Sequence, residues 1–203
     1  MKHVIIEGGD RLGKSTLIEG ISKHFNYDNV SIRHFGKPPR VFPEGISPLE
    51  FQAKCFWKEA HLLESIRQME NDEYCYYENV VIWNRAHLGE YVYGQMFRGQ
   101  DPKELENYLH NFEIRHLVDK SDETFLVLLT ADPKFFLSKE DGQSFSQNLK
   151  DKTIELALFD DIFEKSQIDN KLRLNVSENG EFLPKEYLLG AVLDFMKYKD
   201  ELM

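Results

Sequence analysis

The sequence predicts an α/β domain, with five parallel strands in one sheet and helices on both faces. Three observations carry that prediction. A short β-branched run, Val4-Ile5-Ile6, leads directly into a glycine loop and then a segment with helical spacing. Strand-like and helix-like stretches alternate from there to the end. The run Thr124-Phe125-Leu126-Val127-Leu128-Leu129 is apolar enough to be a strand buried on both faces. With 203 residues and neither repeats nor linkers, the chain reads as one domain spanning residues 1–203.

The first strand ends in Glu7-Gly8-Gly9-Asp10-Arg11-Leu12-Gly13-Lys14-Ser15-Thr16, which fits Gly-x-x-x-x-Gly-Lys-Ser. Strand, glycine loop and helix is the context a phosphate-binding loop requires. Its glycines let backbone N–H groups turn toward a polyphosphate, and the new helix points its positive end at the same anion. Residues Gly8 to Thr16 are therefore expected to hold a nucleoside triphosphate. Lys14 would reach its terminal phosphates and the Ser15 hydroxyl would help hold Mg²⁺.

Leu17, Ile18, Ile21 and Phe25 then share one helical face, and Val30 to Phe35 reads as the second strand. Gly36-Lys37-Pro38-Pro39-Arg40 is a rigid basic loop. Ser47-Pro48-Leu49-Glu50 opens a helix to about Glu70 by combining a capping box with a first-turn proline. Asn79 to Trp83 is the third strand, and Asp101-Pro102 caps another helix. After the buried fourth strand, Ile154, Leu158 and Ile162 form a helical stripe. Lys171 to Val176 is the fifth strand, and an amphipathic helix follows Pro184.

The formal net charge of −10 repels phosphate polymers, so DNA and RNA are not expected partners. Two cysteines, Cys55 and Cys75, lack metal-ligand spacing and fit a reducing, cytoplasmic setting. No long apolar run or signal peptide points to a membrane. Lys199-Asp200-Glu201-Leu202 is not read as a retention signal because Met203 follows it. Ligands of such sheets collect beyond the carboxyl ends of the strands, where Asp10, Arg11, Lys14, Lys37, Arg40, Arg85 and Lys139 cluster in sequence terms. His87 and Glu90 lie just beyond Arg85; His87 reads as structural and Glu140-Asp141 as loop-capping.

The segment from Glu7 to Thr16 resembles the loop of the thymidylate kinase family of nucleoside monophosphate kinases. Gly36-Lys37-Pro38-Pro39 and Asp141-Gly142-Gln143-Ser144 are similar to segments of phage-encoded members. The resemblance implies a P-loop kinase fold with a short lid at about 138–148, ATP and Mg²⁺, and transfer of phosphate to dTMP. By it, Asp10 would hold the acceptor's 3′-hydroxyl region and Arg11 the transferring phosphate. Arg85 would hold the acceptor monophosphate, Tyr93 would stand against a 2′-hydroxyl, and Lys139 would act from the lid.

Three departures stand out. Asn84 replaces an aspartate of the family; Lys37 or Arg40 takes the place of its Phe-Pro-x-Arg arginine. Phe51 is in place to stack a base, but Cys55 sits where an arginine would read its edge. Phe51, Phe56 and Trp57 otherwise read as core aromatics. Whether the chain forms a homodimer, as that family does, the sequence leaves open.

A monophosphate is already ionised at neutral pH and needs no general base, unlike a nucleoside hydroxyl. Lys37, a cation after the second strand, favours the monophosphate, while Glu7 and Asp10 keep a deoxynucleoside kinase in play as bases. A GTP switch is disfavoured because Asn170-Lys171-Leu172-Arg173 ends in the wrong charge for a base reader. A non-catalytic nucleotide-binding protein remains the other alternative.

Overall fold

The computed structural model describes residues 2–35, 44–47, 50, 51, 54, 55, 58, 80–118 and 123–200. The first half of the sheet comes from β1 (Lys2–Glu7), β2 (Val30–His34) and β3 (Val80–Asn84). It is completed by β4 (Glu123–Thr130) and β5 (Asn170–Asn175). All five pair in parallel in the order β2-β3-β1-β4-β5. Every residue of β3 and six of eight in β4 are buried, as a sheet covered on both faces demands.

Alternation along the strands sorts the core into two layers. Val4, Ile6, Ile82, Phe125 and Val127 pack toward α1 (Lys14–His24) and α6 (Lys185–Asp200). Ile5, Val81, Trp83, Leu126 and Leu128 face the opposite way. They meet α2 (Leu88–Arg98), α3 (Pro102–Glu113) and α5 (Leu149–Lys165). The expected Asp101 cap is present: its side chain accepts from the backbone N–H groups of Lys103 and Glu104, with Pro102 in the first turn. Ser47 Oγ accepts from the Glu50 N–H at 3.1 Å, as the capping box requires, and residues 50, 51, 54, 55 and 58 are helical. The rest of that helix, with Phe56, Trp57 and Cys75, lies outside the described residues, as do Lys37 and Arg40.

Two features go beyond the sequence reading. Helix α3 runs on into a π-turn at Ile114–Val118. After β5 a small hairpin forms from β6 (Ser177–Glu178) and β7 (Glu181–Phe182), turning at Asn179 and Gly180, both with positive φ. The segment expected to be a lid, about 138–148, starts at the end of a short helix α4 (Pro133–Ser138) and is irregular up to Asn148, whose side chain caps α5. Among the described residues no helix is long and apolar enough to cross a membrane.

Candidate functional site

The strand register brings His34, Asn84 and the end of β1 to one edge of the sheet. From there residues 8–13 loop back to α1, and the packing leaves Gly8 and Gly9 little choice. A Cβ on Gly8 (φ 127°) would lie 2.4 Å from the Leu129 carbonyl oxygen. One on Gly9 would lie 2.1 Å from Phe136 Cζ. Leu12 is fully buried in the core, so only its backbone is left for a ligand. Arg11 (φ 69°) and Arg85 (φ 57°) are both left-handed, a conformation that β-carbon-bearing residues keep only when neighbours enforce it.

Three cations converge on the loop, and each meets an acceptor of the protein. Lys14 Nζ donates to the carbonyls of Gly8 at 2.6 Å and Gly9 at 2.5 Å. Burial lowers its pKa to about 8; Arg85 pushes the same way, while Asp10, Glu7 and Glu155 oppose. The Arg85 guanidinium is bonded to Asp10, and that of Arg11 to Asp141 from the lid. Glu140 organises that lid: its Oε1 accepts the N–H groups of Asp141, Gly142 and Ser144. Its other oxygen pairs with buried Lys152 at 2.7 Å. Burial works against the Glu140 carboxylate, but the hydrogen bonds from Lys152 and Ser144 prevail and hold its pKa at about 2.

These groups surround a cavity of about 450 Å³. Asp10, Arg11 and Gly13 to Thr16 form one wall. Arg85, Asn84 and His34 form the second, and Gln143, Ser144 and Phe182 form the third. A second, apolar slot of about 210 Å³ shares Gly13, Thr16 and Phe182 with it and runs on over Leu17, Leu129 and Leu188. Of the expected site residues, the structure brings Asp10, Arg11, Gly13, Lys14, Ser15, Thr16 and Arg85 together. Gly8 and Gly9 lie beneath them.

Three expected residues, Lys139, Tyr93 and Phe51, stand apart from this lining. Lys139 caps α4 with its Nζ over the rings of Phe135 (4.8 Å) and Phe182 (5.4 Å). Tyr93 donates to Glu155 Oε1 at 2.8 Å and packs against Phe97 and Phe145. Burial and the Glu155 charge push its phenol well above the usual range, so it stays a neutral donor. Phe51 is half-buried in its helix. His87 is structural, as expected: it is buried and bonded to Glu113 at 2.6 Å.

The sequence reading missed His34, Gln143, Ser144 and Phe182. His34 was inside a predicted strand and Gln143 and Ser144 inside the predicted lid. Phe182 had a usable signal in the Asn179-Gly180 pair, the strongest short-range mark of a hairpin. Mg²⁺ prefers oxygen ligands, keeps several waters and needs few groups from the protein. The lining fits that habit. It contains the Ser15 hydroxyl and Asn84 Oδ1, a buried amide oxygen without a hydrogen-bond partner among the described residues. Asn84 Nδ2 meets His34 Nδ1 at 2.9 Å. Among the described residues no three His, Cys, Asp or Glu side chains group to hold a metal.

No protein-family model matches the chain, and a search of curated protein sequences finds no relative. Solved structures do match along the whole fold, among them nucleotide-binding and kinase structures at low sequence identity. The YorR protein of Bacillus subtilis, solved with phosphorylated GDP, is 16% identical with a TM-score of 0.63, covering 98% of each chain. Thymidylate kinase from Ehrlichia chaffeensis is 14% identical, TM-score 0.58, covering 96% of this chain and 98% of its own. Deoxyadenosine kinase from M. mycoides, solved with dCMP and dCDP, is 14% identical, TM-score 0.56, covering 98% and 100%. The chain thus has the α/β fold of thymidylate kinases and related P-loop kinases.

Proposed function

We propose that the protein is an ATP-dependent deoxynucleoside monophosphate kinase, with dTMP its main acceptor and ADP and dTDP its products. One observation carries the reading: a single cavity is lined by the phosphate loop, by Arg85 beside it, and by Gln143 and Ser144 from the expected lid. That layout suits two phosphorylated ligands meeting end to end. Phosphoryl transfer asks the protein for positioning and charge neutralisation above all. Lys14 and Arg11 steady the transferring phosphoryl group, and Arg85 tethers the acceptor phosphate. Ser15 and Asn84 are the residues that would hold Mg²⁺, which supplies charge neutralisation between the donor phosphates. The apolar slot beside Thr16 and Phe182 accommodates the flat base of the donor. Closure of the lid excludes water, which would otherwise consume ATP.

The choice of a monophosphate over a nucleoside rests on the carboxylates. A nucleoside hydroxyl needs a base within hydrogen-bond reach. Asp10 is bonded to Arg85, and Glu7 Oε1 accepts two backbone N–H groups, from Ala86 and Leu88. With both carboxylates engaged in the free protein, an acceptor that needs no base is favoured. The test incubates ATP and Mg²⁺ with each deoxynucleoside and each deoxynucleoside monophosphate, scoring products by mass. Diphosphate formed chiefly from dTMP is the expected result. Monophosphate formed from nucleosides would overturn the acceptor class, and nucleotide binding without any turnover would make the chain a non-catalytic relative.

A further inference from the structure

We infer that Glu7 is a positioning residue for the acceptor side of the site: its buried carboxylate fixes the left-handed turn that sets Arg85 into the cavity lining. The inference rests on the assignment of Arg85 to the acceptor phosphate. Only residues 85–87 connect β3 to α2, so the chain must turn sharply there. Arg85 takes a positive φ of 57° to do so, and a residue with a Cβ holds that conformation only under constraint.

The constraint is visible on both sides of the residue. The Arg85 N–H donates to the Ile6 carbonyl at 3.1 Å. The next N–H groups available, from Ala86 and Leu88, both donate to Glu7 Oε1 at 2.9 Å. Leu88 is the first residue of α2, so its N–H is one of the donors a helix start leaves without a partner. His87, in the N-cap position, makes no side-chain cap; its ring is taken by Glu113 instead. Glu7 therefore caps α2 from a neighbouring strand through the two N–H groups its Oε1 accepts.

The same short segment holds Arg85 at both ends. Glu7 fixes its backbone, and Asp10, three residues on, fixes its guanidinium. The residue that launches the phosphate loop thus sets the position of the cation beside that loop. With 1% of its surface exposed, Glu7 touches no ligand itself.

Glu7→Gln keeps an oxygen that accepts both N–H groups, whereas Glu7→Ala removes it and Glu7→Asp is one methylene too short to reach both. The assay is run at about pH 6.5, where Lys14 stays protonated. We expect Glu7→Ala to raise the acceptor KM about tenfold to a hundredfold, the cost of a misplaced binding group. Glu7→Asp should show a smaller rise and Glu7→Gln a change under about threefold. Equilibrium binding of Mg-ADP should change less than about threefold in all three. Hydrogen exchange supplies a readout independent of turnover: segment 84–92 loses protection in Glu7→Ala and keeps it in Glu7→Gln.

Equal weakening of donor and acceptor would overturn the inference, as would unaltered exchange in that segment. Should Glu7→Ala fail to fold, Glu7→Asp and Glu7→Gln decide it by the same two measurements. Arg85→Ala separates this inference from the functional reading. An unchanged acceptor KM there refutes Arg85 as the phosphate ligand. A raised one, with Glu7→Ala silent, refutes the role of Glu7 alone.

Discussion

Lys14 should make donor binding depend on pH well below the range where lysines normally titrate. Burial brings its pKa from 10.5 to about 8, with Arg85 adding to the fall and Asp10, Glu7 and Glu155 resisting it. A shift of that size corresponds to about 3 kcal/mol in favour of the neutral amine. A bound triphosphate reverses the balance by setting several negative charges beside the ammonium. Binding above about pH 8 must therefore draw a proton from solvent, and affinity should fall roughly tenfold per pH unit until the ordinary lysine value is reached.

For stability the sign is opposite. The unfolded chain holds this proton up to its normal pKa and the folded chain releases it near 8, so Lys14 costs most at low pH. Its contribution improves as pH rises between those values. Titration calorimetry of a non-hydrolysable ATP analogue with Mg²⁺, in two buffers of different ionisation enthalpy, reads the proton directly. We expect close to one proton taken up at about pH 9 and about a tenth of one at about pH 7. Lys14→Arg, which does not titrate in this range, should abolish the dependence. Flat affinity and no proton uptake at about pH 9 would refute the reasoning.

Gly9→Ala places a methyl 2.1 Å from Phe136 Cζ and 3.0 Å from Glu155 Oε1; we expect a loss of about 1–3 kcal/mol, read by urea unfolding, and partial recovery on adding Phe136→Leu. Asp141→Asn releases Arg11 from a half-exposed ion pair, so donor affinity should improve no more than about fivefold, an effect that shrinks with added salt. Glu113→Ala strips buried acceptors from His87, Ser166 and the Gln167 N–H, and should cost about 3–5 kcal/mol in the same unfolding assay without changing donor affinity.

What could be read in advance was what is local. The phosphate loop needs only a strand, two glycines and a lysine in succession, and Val4 to Thr16 supplies all of them. Runs such as Thr124 to Leu129 announce burial by composition, and Asp101-Pro102 announces a helix start by its own hydrogen bonding. The partners of those groups were not readable, because they come from distant segments. Nothing near Arg11 in sequence points to Asp141, and nothing near Phe136 says that its ring fills the space above Gly9. Lys139 shows the same limit. Its place after a predicted strand suggested a lid cation facing substrate, but the aromatic pair Phe135 and Phe182 lies under its ammonium, and Phe182 arrives from a hairpin after β5. Cation–π attraction of that kind depends on which rings the fold assembles, not on spacing along the chain.

The pairing of the three cations also explains how an acidic protein keeps so much positive charge on one rim. Brought together without compensation, Lys14, Arg11 and Arg85 would repel one another in a partly buried cleft; the lowered pKa of Lys14 is chiefly the cost of burial, with a smaller contribution from Arg85. Asp10 and Asp141 take up two of the cations, and the carbonyls of Gly8 and Gly9 take the third. A phosphate oxygen would make the same kind of charge-assisted bond as these carboxylates and carbonyls. Under the proposed function, binding is then largely an exchange of acceptors, in which Arg85 and Arg11 keep their charge-assisted bonds while changing partners. That exchange limits the affinity gained from any one contact. It leaves selectivity to geometry: a ligand must present phosphate oxygens where Arg85 and the loop cations stand, and the turn held by Glu7 sets the place of Arg85.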